Sequence, residues 1–305
     1  MMIFYQYLKE YFHKIPLQKF LLTSIFVAAL IFINYRIGIE QRILRAPAWY
    51  ISLSLFFIFY LFVFGLAYLI QFRWRVQKKI QGNRWLIIFL LLAPFLFALK
   101  MIPWHIPLVD TISESAWRKY WNIVLQLPLK LLLLLLILFW LWKKRGNENS
   151  FWGFTTKEFK PGPYFLLLMC MVPLIAFAST QHDFLLVYPK VKNIAFIGNH
   201  TDHPWLWKLI YEISYGLDFI SIEFFFRGFL IIGFLQFAGI DAILPMAAFY
   251  CTVHFGKPLG ECISSYFGGL VLGVIASRTK TIVGGLMVHL GIAYLMEIGG
   301  YLGPL

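Results

Sequence analysis

Apolar runs long enough to cross a lipid bilayer recur along this sequence, and they leave it few folds to choose from. A hydrocarbon core about 30 Å thick needs about 20 mostly apolar residues as helix. In lipid every backbone N–H and C=O must find its partner within the protein, which allows little else. Such runs lie at about 18–35, 48–72, 85–102, 121–142 and 163–180, and again at about 206–237, 241–255, 259–277 and 281–298. The predicted fold class is therefore all-α, a polytopic transmembrane helix bundle of about eight or nine spans. The run at 206–237 exceeds one simple span, so it is expected to tilt steeply or to break near Gly216. Residues 1–16 mix aromatics with Lys and Glu and are expected along the interface. Composition agrees. The chain is 60% hydrophobic and 13% charged, with a mean hydropathy of +0.74, whereas a soluble domain carries about 25% charged residues.

The net charge of +13, from 27 Lys and Arg against 14 Asp and Glu, would point to nucleic acid in a soluble protein. Here the basic residues crowd into short segments between apolar runs, where they encode topology and meet anionic lipid. Membrane lipid is thus an expected partner and nucleic acid is not. With the N-terminus cytoplasmic, the inside segments are 73–84 (Arg73, Arg75, Lys78, Lys79, Arg84) and 143–162 (Lys143, Lys144, Arg145, Lys157, Lys160). The outside segment 180–205 holds only Lys190 and Lys192, so the positive-inside bias favours this orientation. Lys14 and Lys19 precede an apolar run too long for a signal h-region, so that run is expected to be retained as a membrane helix. Cys170, Cys251 and Cys262 are few, odd in number and apolar in setting, and are read as packing residues rather than a disulfide framework or zinc site.

Polar groups divide the chain. Spans in 1–180 are almost free of them, apart from Lys130, whose stem can snorkel. Residues 181–205 form the largest polar segment, an extracytoplasmic loop in this orientation. Spans in 206–300 carry several ionisable residues. These cost about 2.5–3.5 kcal/mol each at the centre of a membrane helix on insertion scales and are functional candidates by default. Residues 1–180 are thus read as scaffold and 206–300 as the functional core. No internal repeat of the kind found in transporters is visible.

Glu223 and Arg227 stand four apart in DFISIEFFFRGFL, on one helical face. Glu212 and Lys208 extend a polar stripe backwards if the helix is continuous. An ion pair that makes two buried charges tolerable is the plain reading of Glu223 and Arg227. His254, in FYCTVHF, and His289, in GGLMVHLGIAYL, lie on two later helices. A carboxylate, two imidazoles and a guanidinium together suit general-base activation of water and stabilisation of an oxyanion. Gly228, Gly268, Gly269, Gly273, Gly284, Gly285 and Gly291 are expected to permit close helix contacts around such a site. In the 180–205 loop, His200, Asp202 and His203, with His182 and Asp183, form a rival set that could ligate a metal. Their spacing matches no zincin pattern. His13 and His105 are read as interfacial.

Over about 205–298 the sequence resembles the CPBP family of CAAX proteases and bacteriocin-processing membrane proteins. That family carries E-E-x-x-x-R, then F-x-x-x-H, then H-x-x-x-N on successive helices. Glu223 and Arg227 fill the second Glu and the Arg; Tyr250 and His254 supply an aromatic and the first His; His289 supplies the second. Two positions depart, with Ile222 at the family's first Glu and Ala293 at its Asn. The resemblance implies an intramembrane endopeptidase of the CAAX type, with Glu223, His254, His289 and Arg227 as site residues. It also implies a peptide or lipidated protein as substrate and a bacterial plasma (inner) membrane as location. No cofactor is expected, although one Glu and two His also fit a divalent metal such as zinc. The alternative is a catalytically silent relative that binds a peptide or membrane partner.

Overall fold

A computed structural model describes residues 2–73, 83–112, 114–145, 150–157 and 159–303. The described residues are helical throughout their ordered elements, without strands, and eight helical segments are long and apolar enough to cross a membrane. The protein is a multi-pass membrane protein with an all-α bundle. Arg75, Lys78 and Lys79 of the expected inside segment lie outside the described residues.

Two compact units divide the chain, each built from separate stretches of sequence. The first comprises Met1–Ile102 and Phe225–Thr281. It contains α1 (Met2–Lys14), α2 (Leu17–Ile37), α3 (Ile39–Leu44), α4 (Trp49–Phe72) and α5 (Arg84–Met101). Later in the chain come most of a π-helical segment (Phe224–Gly233), α10 (Ile243–Thr252) and α11 (Leu259–Thr279). Every residue of α10 is buried, and the helix packs on α2, α4 and α11. Ten helical residues rise only about 15 Å, so the run expected to span at 241–255 does not cross a bilayer as helix. Aromatic rings fill the core here. Phe249 lies 5.0 Å from Tyr60, 5.4 Å from Phe64 and 5.6 Å from Phe97, centroid to centroid. Such tilted and edge contacts add about 0.5–1.5 kcal/mol each beyond area burial.

The second unit comprises Pro103–Phe224 and Ile282–Leu305. Its helices are α6 (Ser115–Lys144), α7 (Pro161–Ala178), α8 (His182–Val187), α9 (Pro204–Glu223) and α12 (Val283–Leu302). Helix α9 packs on α6 and α12, and α12 on α7. The 181–205 segment is more built than an exposed loop. A 3-10 stretch at Lys190–Asn199 buries Val191, Ile194 and Ile197 against Tyr120, Val124 and Tyr211. Tyr211 Oη donates to the Lys190 carbonyl at 3.1 Å.

The expected break near Gly216 is absent: α9 runs through it as α-helix. A Cβ at 216 would collide with the Tyr294 hydroxyl, which donates to the Glu212 carbonyl at 3.0 Å. Glycine serves close approach here, against the roughly 0.5–1 kcal/mol it costs a helix relative to alanine. The change comes later, at Phe224, where the chain adopts i→i+5 bonding, a widening that recurs at functional sites.

Candidate active site

Glu223 is the last residue of α9 and is fully buried. Its Oε1 accepts a hydrogen bond from Nδ1 of His289 at 3.0 Å. His289 sits within α12, with a side chain 12% exposed. Each helix contributes a second residue one turn away. Phe219 sets the edge of its ring against His289, 4.8 Å between centroids at 66°. Gly285 lies where any Cβ would strike Glu223 Oε2. The acid and the imidazole thus meet because α12 is bare at 285 and α9 is aromatic at 219. A different face of α12, about 100° around the helix, receives Tyr164 at Gly284 and Leu168 at Gly291, both from α7. Close approach is found at these three expected glycines and also at Gly269, against Tyr250, and Gly273, against Met246; Gly268, by contrast, has open space around it.

The other two candidates belong to the first unit. Arg227 lies on the π-helical segment, 1% exposed, with its guanidinium carbon 4.5 Å from the centre of the Tyr250 ring. A cation over an aromatic face is worth about 2 kcal/mol when desolvated. His254 follows α10, and its ring lies 4.7 Å from that of Tyr250 at 65°. His254 Nδ1 is 3.0 Å from the Tyr250 carbonyl. A carbonyl only accepts, so this nitrogen carries a proton and a neutral ring keeps its lone pair on Nε2.

The turn after His254 is fastened to the end of α2. Asn34 Nδ2 donates to the Phe255 carbonyl at 3.1 Å, and Tyr35 Oη to the Lys257 carbonyl at 2.5 Å. Glu40 accepts from the Gly256 amide, and burial raises its carboxyl above the usual range, with Lys257 opposing. Lys257 Nζ meets Glu261 at 2.9 Å.

The polar stripe is graded: Lys208 is exposed, Glu212 half-buried, and Glu223 and Arg227 buried. Sequence reasoning passed over Glu297, also buried, whose carboxylate takes the Lys190 amide at 2.7 Å and the Val191 amide at 3.2 Å. An acid within an apolar span was the signal, the one that marked Glu223. His105 is not interfacial but 3% exposed, its Nε2 3.1 Å from the Asn122 carbonyl. Burial first, and Lys130 second, lower its pKa. In the loop, His182, Asp183, His200, Asp202 and His203 are all exposed. Among the described residues no group of three or more His, Cys, Asp or Glu could hold a metal ion. All three cysteines are free. Cys251 and Cys262 are buried with sulfurs 3.8 Å apart, while Cys170 is exposed rather than packed inside.

The described residues thus form a polytopic helix bundle with a buried carboxylate–imidazole pair. Residues 204–295, from the start of α9 into α12, match the family model described as type II CAAX prenyl endopeptidase Rce1-like. The matched segment covers less than half of the chain and contains Glu223, Arg227, His254 and His289; over it the chain is similar to that family. No curated protein matches the chain, and no solved structure does.

Proposed function

We propose that the protein is an intramembrane endopeptidase that hydrolyses a peptide bond of a lipidated or otherwise membrane-associated substrate with water activated by Glu223. The observation that carries this reading is the buried Glu223–His289 contact at 3.0 Å, inside a segment that matches a prenyl endopeptidase family. The carboxylate takes a proton from water as the oxygen bonds to the scissile carbonyl carbon. The C–N bond then breaks and the proton passes to the leaving amine. His289 orients the carboxylate through Nδ1; a role at the oxyanion also requires a proton on Nε2. His254, with its lone pair on Nε2, is assigned a share in water activation, and Arg227 the positive charge that the developing oxyanion needs. No step is assigned to a metal, and a chelator is expected to leave the rate unchanged. The reading includes a cytoplasmic N-terminus in a bacterial inner membrane. A thiol introduced as Lys157→Cys should then react from the cytoplasmic side only.

A catalytically silent, peptide-binding protein is the second reading. Ile222 and Ala293 favour it, since both are buried apolar residues at positions where the family pattern has a Glu and an Asn. Losing one oxyanion donor costs about 10²–10³ in rate. The deciding experiment offers purified protein in lipid a library of prenylated and hydrophobic peptides. Cleavage by wild type that is lost in Glu223→Gln and in His254→Ala supports the enzyme. Binding without cleavage by every form supports the silent relative.

A further inference from the structure

A groove lies between α2 and α11 in the first unit, and the chemistry proposed above does not use it. Its cavity volume is about 710 Å³. It follows α2 from Ser24 to Arg36, a rise of about 18 Å. The walls are apolar, with Val27, Ile31 and Phe32 on one side and Ile263 and Phe267 on the other. Polar bridges tie the two sides near its ends: Ser24 Oγ and Tyr266 Oη are 3.1 Å apart, and Tyr35 Oη reaches the Lys257 carbonyl. One cation belongs to the lining. Arg36, in the last turn of α2, is exposed, with its guanidinium carbon 5.4 Å from the centre of the Phe32 ring.

We propose that this groove binds one anionic phospholipid, an acyl chain along α2 and α11 and the phosphate on Arg36. The proposal is independent of the enzymatic reading. Three properties select this occupant. The groove's length is close to one leaflet, half of a core of about 30 Å. Its walls offer an acyl chain dispersion contacts along their whole length. Its cation stands at a helix end, where headgroups lie, and a guanidinium matches phosphate oxygens bidentately. A zwitterionic lipid brings its own ammonium to compete for the phosphate, so net negative charge is preferred.

The test is retention of lipid by the full chain in detergent, read by native mass spectrometry and by Tm. The probes are phosphatidylglycerol, phosphatidylcholine of the same acyl chains, and glycerol phosphate. Wild type should retain and be stabilised by phosphatidylglycerol in preference to phosphatidylcholine. Arg36→Gln, at an exposed site, should weaken that retention about fivefold, the equivalent of one basic contact at a lipid surface. Ala28→Trp, which fills the groove, should abolish it. Equal retention of the two lipids, undiminished retention by Arg36→Gln, or stabilisation by glycerol phosphate alone would each overturn the proposal. Displacement of the phospholipid by farnesol at equal concentration would overturn it too, by making the groove an isoprenoid site.

Discussion

The Glu223–His289 pair and the His254 turn are both positioned by their surroundings, but by different devices. Glu223 projects from the last turn of α9 and His289 from the interior of α12, and their contact depends on what is missing: no Cβ stands at 285. His254 follows the end of a short buried helix, and its turn depends on what is added, hydrogen bonds from Asn34 and Tyr35 and the Glu40 carboxylate. Helix packing fixes a group sterically, because interiors are close-packed and respond to a single added methyl. A hydrogen-bonded turn is fixed in smaller increments, about 0.5–1.5 kcal/mol per bond. Perturbing the pair should therefore do more damage than perturbing the turn.

The largest effect belongs to the pair itself. Glu223→Gln keeps the shape of the side chain and removes the base, and should lower kcat about 10³-fold, within the range for lost general-base catalysis. His289→Ala should cost nearly as much. If the two act as one unit, the double variant should be little worse than Glu223→Gln alone. Single-turnover cleavage of a prenylated peptide measures all three. Full additivity in the double variant would break the idea that the contact at 3.0 Å is functional.

Next comes Gly285→Ala. The new methyl has to displace the Glu223 carboxylate, and a shift of about 1 Å at a reacting group can cost 10²-fold. A fall of that size in kcat with little change in KM is expected, together with a destabilisation of about 1–3 kcal/mol from overpacking. Gly268→Ala is the control, since nothing lies near that position; it should leave the rate unchanged and raise Tm slightly, because alanine is favoured over glycine within a helix by about 0.5–1 kcal/mol.

These contrasts also explain what could be read in advance. Hydropathy located the long spans to within a few residues, because lipid imposes both length and composition. It misjudged 241–255, since an apolar run buried in protein looks like one bathed in lipid. Glu223 and His289 were legible as ionisable residues in apolar surroundings, but that they touch was not, since the contact depends on Gly285 and on how α9 meets α12. A break near Gly216, one of the two expectations for the long run, is absent for a related reason: glycine can serve close approach as well as flexibility, and only Tyr294 across the gap tells which. The π-helical turn after Glu223 left no mark in a run of phenylalanines. The Asn34 and Glu40 contacts join positions more than 200 residues apart in sequence, beyond the reach of any local pattern.

The turn offers the milder perturbation. Asn34→Ala removes the donor to the Phe255 carbonyl, and should cost about 1 kcal/mol and reduce cleavage severalfold, with Tm reporting the stability loss. A loss as large as that from Gly285→Ala would mean the turn is as rigidly required as the pair, and would erase the distinction between them.

The smallest effect is the pH dependence carried by Glu40. Burial raises its carboxyl, so the folded state favours the protonated acid. A raised pKa makes a stabilising contribution that is complete below the unfolded value, about 4.3, and is lost as pH rises through the folded value. Lys257 opposes the shift, which keeps the effect small. Glu40→Gln cannot ionise, so the Tm of wild type relative to this variant should fall as pH rises from the acid side and then level off. The charged groups around the turn other than Glu40 are common to both proteins and cancel in the comparison. A difference that grows in favour of wild type at higher pH would mean that the ionised carboxylate, held by Lys257 and the Gly256 amide, is the form that fastens the turn.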